Sequence, residues 1–246
     1  MNRRKDFDYD GMDLEAMAFA DNYYKWLMGN IKPYIGHKVV EVGAGVGSFS
    51  RLLLEHEVKN LALVEPSKSM YSLLVENVNT QRRSGQQVAT HNSYLQGITA
   101  DLKKFKPDTF IYVNVFEHIK NDKAELDQIT EILKPGGHVI IFVPALQSLY
   151  SNFDKSIDHY RRYNKKDLRK LCEAAGLEVV TLRYMDMVGI LPWWFSFVVM
   201  KRTSLVPLLV KVYDNVCVPI IRVFESIVRV PVGKNLLIVA KKQKNE

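Results

Sequence analysis

The chain predicts a doubly wound α/β fold built on a mostly parallel sheet, and three features carry that expectation. Short apolar runs alternate with helix-period segments along most of its length. The first run passes directly into a turn holding Gly43, Gly45 and Gly47. Eighteen residues after Gly47, a second run ends at Glu65. A glycine turn after a first strand lets backbone approach a ligand closely, and an acid at the tip of the second strand suits two ribose hydroxyls. In sheets of this kind ligands sit beyond the carboxyl ends of the strands, where the turn, Glu65 and the segment after Val115 would converge.

Taken in order, strands are expected at 38–43, 60–65, 109–115, 138–143, 177–184 and 235–240, with one more within 87–95. Residues 122–133 place Leu126, Ile129 and Leu133 on one helical face and stop at Lys134-Pro-Gly-Gly137, which cannot continue a helix. Asn164 caps a helix carrying Leu168 and Leu171, and Gly176 ends it. Tyr23, Tyr24 and Trp26 fall on an N-terminal helix, where aromatic spacing alone is read as core.

At 246 residues and 47 % hydrophobic, the chain can bury one sizeable core, so a single domain with an appended subdomain is expected. Two cysteines, Cys172 and Cys217, are too few for a disulfide framework, and no stretch has zinc-ligand spacing, so no metal is expected. The first eight residues turn acidic without an apolar stretch, which reads as no export signal and a cytoplasmic setting. Of the net charge of +7, residues 181–246 hold +6. Their cations are spaced among long apolar runs rather than clustered with aromatics, which disfavours nucleic acid and suits an anionic membrane surface.

The turn spacing separates the candidate ligands. A dinucleotide fingerprint needs a glycine at position 48, and this chain has Ser48. The compact Glu41-x-Gly43-x-Gly45-x-Gly47 form instead resembles motif I of the class I S-adenosylmethionine (SAM) methyltransferases. Further pieces carry the same resemblance: Asn114-Val-Phe-Glu-His118, Leu133-Lys-Pro-Gly-Gly137 and Asp158-His-Tyr-Arg-Arg-Tyr163. The whole pattern of strands, helices and motifs from about residue 20 to residue 245 carries the resemblance. The resemblance implies a Rossmann-like seven-stranded sheet with its last strand antiparallel, and SAM as cofactor with S-adenosylhomocysteine as product. It further implies that Glu41 helps hold the methionine end of SAM, that Asn114 lies where the fourth strand ends against the cofactor, and that Asp101 meets the adenine, Asp101 equally reading as a helix-capping residue.

One departure from the family pattern stands out. Its last two strands are usually joined by a short hairpin, whereas here an insert of about residues 185–232 intervenes. Met187 to Met200 is an uncharged run of 14 residues, short of the ~20 a spanning helix needs. Farther on, Lys211, Asp214, Arg222 and Glu225 fall in a narrow helical arc opposite a broad aliphatic face, with Pro219 expected to break the stretch into two helices. The insert is read either as a lid packed on the domain or as an apolar, basic subdomain at 187–229. In the second reading it lines a pocket for a greasy acceptor or rests peripherally on the inner membrane face.

Methyl transfer from a sulfonium is an in-line displacement, so few polar groups are needed beyond those that hold the nucleophile and take its proton. His118 and His159 are the candidate bases, His118 alternatively being a packed residue that positions its loop. Glu117, Tyr160, Arg161 and Arg162 are the candidate acceptor contacts, the arginines through a carboxylate or phosphate. The sequence therefore reads as a SAM-dependent enzyme acting on O or N of a small or lipid-like acceptor. A non-catalytic SAM-binding activator is the competing reading, and a nicotinamide-dependent dehydrogenase is disfavoured by Ser48.

Overall fold

The computed structural model describes residues 20–56 and 58–244. The export-signal reading concerns residues that lie outside this set. Seven strands form one sheet: β1 (Lys38–Val42), β2 (Asn60–Val64), β3 (Gln87–His91), β4 (Thr109–Val113), β5 (His138–Pro144), β6 (Leu177–Met185) and β7 (Asn235–Lys242). Their order is β3-β2-β1-β4-β5-β7-β6. All pairings are parallel except those of β7, which runs antiparallel to both β5 and β6. The central strands are apolar on both faces because helices cover both. Val40, Phe110, Tyr112 and Ile141 bury against one helical layer, and Val39, Ile111, Ile140 and Phe142 against the other.

β3 lies at the sheet edge and alternates between exposed and half-buried residues, which is why its sequence signal is diffuse. The helix Asp122–Ile132 buries Leu126 and Ile129 completely, and Asn121 caps it by accepting from the Ala124 amide. Asn164 caps Lys165–Ala174 in the same way through the Asp167 amide, and Gly176 follows with a left-handed φ of +76°.

The first described helix, α1 (Asp21–Ile31), buries Tyr23, Tyr24, Trp26 and Leu27 and crosses the carboxyl edge of the sheet. No side chain of its own caps it. The cap comes instead from the insert, nearly two hundred residues away: the Asp214 carboxylate accepts from the amides of Asn22 and Tyr23 at 2.9 Å each.

Residues 186–234 form the insert. A helical segment at Ile190–Val199 ends in a π turn, and a second helix runs from Pro207 to Ile227 through another π turn at Tyr213–Cys217. Pro219 therefore does not break this helix; the widened turn just before it absorbs the hydrogen bond that proline cannot donate. The polar arc is also reversed from expectation at its acidic members. Asp214 and Glu225 point inward and are buried, Glu225 accepting from the amides of Asp186 and Met187. Leu191, Leu208, Ile220 and Ile227 face solvent at 68–81 % exposure. Among the described residues no helix is long and apolar enough to cross a membrane.

Replacing Asp214 with Ala strands two amides at the start of α1. Thermal unfolding of Asp214→Ala should show a loss of about 1–3 kcal/mol, a few degrees in Tm. An unchanged Tm would mean that water caps α1 equally well.

Candidate functional site

The carboxyl ends of β1, β2, β4 and β5 open into one cavity of about 1560 Å³ that continues into the insert. A single drug-sized ligand occupies well under ~1,000 Å³, so there is room for two ligands side by side.

At one end lies the glycine turn. Gly43, Gly45 and Gly47 all take left-handed φ values, and a Cβ on Gly43 would stand 2.5 Å from Val115 Cγ2. Glu65, buried at the tip of β2, accepts from the Gly45 amide through one oxygen and from the Ser67 amide through the other, each at 2.8 Å. Burial pushes its pKa up while these two bonds hold it down. Each oxygen keeps a lone pair for a ligand hydroxyl. Gly43, Gly45, Glu65 and Asn114 line the cavity, Asn114 with a left-handed φ of +54° that turns the chain at the end of β4.

Glu41 and Gly47 are absent from that wall. The Glu41 carboxyl is buried beneath the turn and accepts from the Ser50 hydroxyl at 2.6 Å. Desolvation raises its pKa to about 8, so it is a neutral acid at pH 7 and braces the turn from below. Asp101 is a correction: it lies exposed in the first turn of the helix Thr99–Phe105, outside the cavity. Leu95 and Ile98 bury as the chain leaves β3, which turns Asp101 to solvent and leaves Ser93, Tyr94 and Gln96 on the wall.

Opposite the turn, two loops meet. The one after β4 brings Glu117 and His118, and the one after β5 brings Asp154, His159 and Arg162. The loops are joined by the Tyr160 amide donating to the Glu117 carbonyl and the Tyr163 hydroxyl donating to the Phe116 carbonyl and Asp122. His118 and His159 stand edge to face with ring centres 4.5 Å apart. Nδ1 of His159 shares a hydrogen with Asp154 Oδ1 at 3.1 Å, and Nε2 faces Glu117 Oε1 at 3.8 Å. Burial pulls the His118 pKa down to about 3, with His159 adding to the effect, so its ring is neutral. Burial pushes the Glu117 carboxyl up to about 7, against the pull of His159 and Arg162.

Asp154 organises this end, and sequence reading missed it. Its Oδ2 accepts from the Ser151 amide and hydroxyl, closing a capping box, and its Oδ1 accepts from Arg162 Nε at 2.8 Å. Burial pushes its pKa up, but bonds from His159, Arg162 and Ser151 prevail and hold it at about 2. The Ser151-x-x-Asp154 spacing was the available signal. Arg162 is wholly engaged here, its guanidinium also lying 4.7 Å from the Trp193 ring of the insert. Arg161 is a second correction: it pairs with Asp122 and the Lys120 carbonyl outside the cavity, so it is not placed to meet an acceptor. Tyr160 reaches the cavity wall.

The family model described as a methyltransferase domain matches residues 19–182, two-thirds of the chain. The chain belongs to the methyltransferase-domain family. SAM is accordingly its cofactor. Among curated proteins, the mitochondrial ubiquinone biosynthesis O-methyltransferase of Dictyostelium discoideum is 22 % identical over 130 residues, which is 51 % of this chain and 40 % of that protein. The matched region thus spans less than half of that relative. Among solved structures, a SAM-dependent methyltransferase from Archaeoglobus fulgidus superposes with a TM-score of 0.61 at 17 % identity, covering 93 % of this chain and 98 % of that one. Phosphoethanolamine N-methyltransferase 2 of Haemonchus contortus, solved with SAM, gives 0.60 at 15 % identity, covering 94 % and 57 %.

Two outcomes are expected of this methyltransferase. Gly43→Ala forces a side chain onto a left-handed residue and into Val115, at about 1–2 kcal/mol for the backbone alone, so titration calorimetry should record at least a roughly tenfold weaker SAM complex. Glu41 ionises near 4.5 when unfolded and about 8 when folded, so the unfolded chain loses its proton first. Wild-type stability therefore falls as pH rises from about 5 to about 8. Glu41→Gln should flatten that part of the Tm profile measured without SAM, and parallel wild-type and variant profiles would show that Glu41 is not the titrating group.

Proposed function

We propose that this enzyme transfers the SAM methyl group to an oxygen or nitrogen of a lipid-like acceptor. In this reading the acceptor's polar end lies against Glu117, His118 and His159, and its apolar part lies in the insert. The observation that carries the proposal is the continuity of the cavity. The same space that holds the glycine turn and the histidines is walled farther out by Trp193, Phe197, Leu205, Leu209 and Tyr213. An apolar wall of this extent suits a hydrocarbon chain, whose burial contributes about 0.8 kcal/mol per CH₂. The D. discoideum relative's name, which joins ubiquinone biosynthesis to O-methylation, supports the same class.

The outer face of the insert supports delivery from a bilayer surface. Trp194, Phe195, Val216, Ile220, Val223 and Ile227 are exposed on it, and Lys201, Arg202, Lys211, Arg222 and Arg229 are exposed beside them. Apolar side chains ringed by cations complement an anionic lipid interface, each cation near the surface adding about 1 kcal/mol. His118 and His159 prepare the nucleophile, and the Asp154 contact fixes the orientation of His159.

Transfer of labelled methyl from SAM into a membrane-containing cell extract tests the reading. Label is expected in the organic phase, and His159→Ala should cut it about 100-fold or more while leaving SAM affinity within about 3-fold. Label confined to the aqueous phase would overturn the lipid-like acceptor. Co-sedimentation with anionic vesicles should weaken as salt rises; absence of binding together with concentration-dependent dimerisation would assign the apolar face to a second copy of the chain.

A further inference from the structure

We propose that Glu117, His118 and His159 form a binding site for a divalent transition-metal ion of the zinc class, open to the acceptor end of the cavity. The inference rests on the reading that the acceptor's nucleophile lies at this cluster, and it specifies how the histidines prepare it.

Glu117 is fully buried, and neither carboxylate oxygen has a hydrogen-bond partner. A buried carboxylate without a hydrogen bond costs several kcal/mol unless a cation or donors compensate it, and the groups whose positive charge acts on this one are His159 and Arg162. Arg162 acts on it through charge alone, since its guanidinium hydrogen bonds go to Asp154 and to the Ala145 carbonyl. What faces Glu117 is a pair of imidazoles. One ligand atom from each of Glu117, His118 and His159 lies within 4.8 Å of the others, and His159 Nε2 stands 3.8 Å from Glu117 Oε1, too far for a hydrogen bond. Two ligands about 2.0–2.2 Å from a tetrahedral zinc ion lie roughly 3.3–3.6 Å apart, so a small inward movement completes the geometry.

The outer contacts fit as well. Metal-binding histidines hand their second ring nitrogen to a carboxylate or carbonyl, which fixes the tautomer. His159 does so through Nδ1 to Asp154, itself anchored by Ser151 and Arg162. Two imidazoles and one carboxylate, with no thiolate, select zinc, iron or manganese over calcium or magnesium, and three protein ligands leave a position free for a further group. All three residues line the cavity, so that position faces the acceptor. A hydroxyl bound there releases its proton to water and stays on the ion as an oxyanion. The oxygen then forms its bond to the SAM methyl as the carbon–sulfur bond breaks, and S-adenosylhomocysteine leaves with the electron pair. Glu117-His118 and His159 are forty residues apart in the chain, so ligand spacing in the sequence does not reveal the set.

The test uses untagged full-length protein. Elemental analysis should find about one zinc-class ion per chain, and Co²⁺ added after chelator treatment should give visible d–d absorption typical of a low-symmetry nitrogen–oxygen site. Zn²⁺ should raise the Tm of the wild type, and both the absorption and the shift should vanish in Glu117→Gln and His159→Ala. Absence of the ion, of Co²⁺ absorption and of a Tm shift in the wild type would overturn the site, whatever the variants do. Equal ion binding by wild type and variants would also overturn it. Chelator-insensitive methylation of an organic-phase product would leave the lipid-like acceptor standing with the histidines as free bases, whereas a bound ion with only aqueous label would leave the site and remove that acceptor.

Discussion

Buried carboxylates that gather donors from several segments hold this molecule's working surface in shape. Asp154 accepts from Ser151, His159 and Arg162, and so joins the loop after β5 into one rigid piece. Glu65 clasps the glycine turn from the next strand. Asp214 and Glu225 do the same for the insert, one capping α1 and the other receiving the chain as it leaves β6. A carboxylate taken out of water must find donors; Asp154 finds them along its own loop, and Glu65, Asp214 and Glu225 find them on other elements, so desolvation fixes the relative positions of the parts.

The sheet was legible in the sequence because its inner strands are covered on both faces and read as unbroken apolar runs between turn residues. β3 was blurred because an edge strand is only half buried. The glycine turn and Glu65 were readable from spacing, since backbone that must take left-handed φ restricts the residue type. Of the two readings of Asp101, the place at a helix start holds and the adenine contact does not, because the burial of Leu95 and Ile98, not the residue count after the strand, decides which side chains face the cavity.

The acceptor end was legible only as fragments. Glu117-His118 and His159 are visible as motifs, but their meeting depends on two loops joined by the Tyr160 amide and the Tyr163 hydroxyl. The insert was misread for a related reason. A helical wheel assigns acids to the wet face, and it cannot register that Asp214 and Glu225 have amide partners waiting inside. Polarity along one helix predicts its orientation only when its polar groups have no better partner than water.

The inward-facing acids also determine how the insert behaves mechanically. Swinging it away from the domain would strip Asp214 from α1 and Glu225 from Asp186 and Met187, and would pull Trp193 off Arg162. Several buried polar groups would lose their partners in one movement. The segment is thus tied to the domain at three separate places, so any displacement of it is coupled to the start of α1, to the end of β6 and to the loop that carries Arg162.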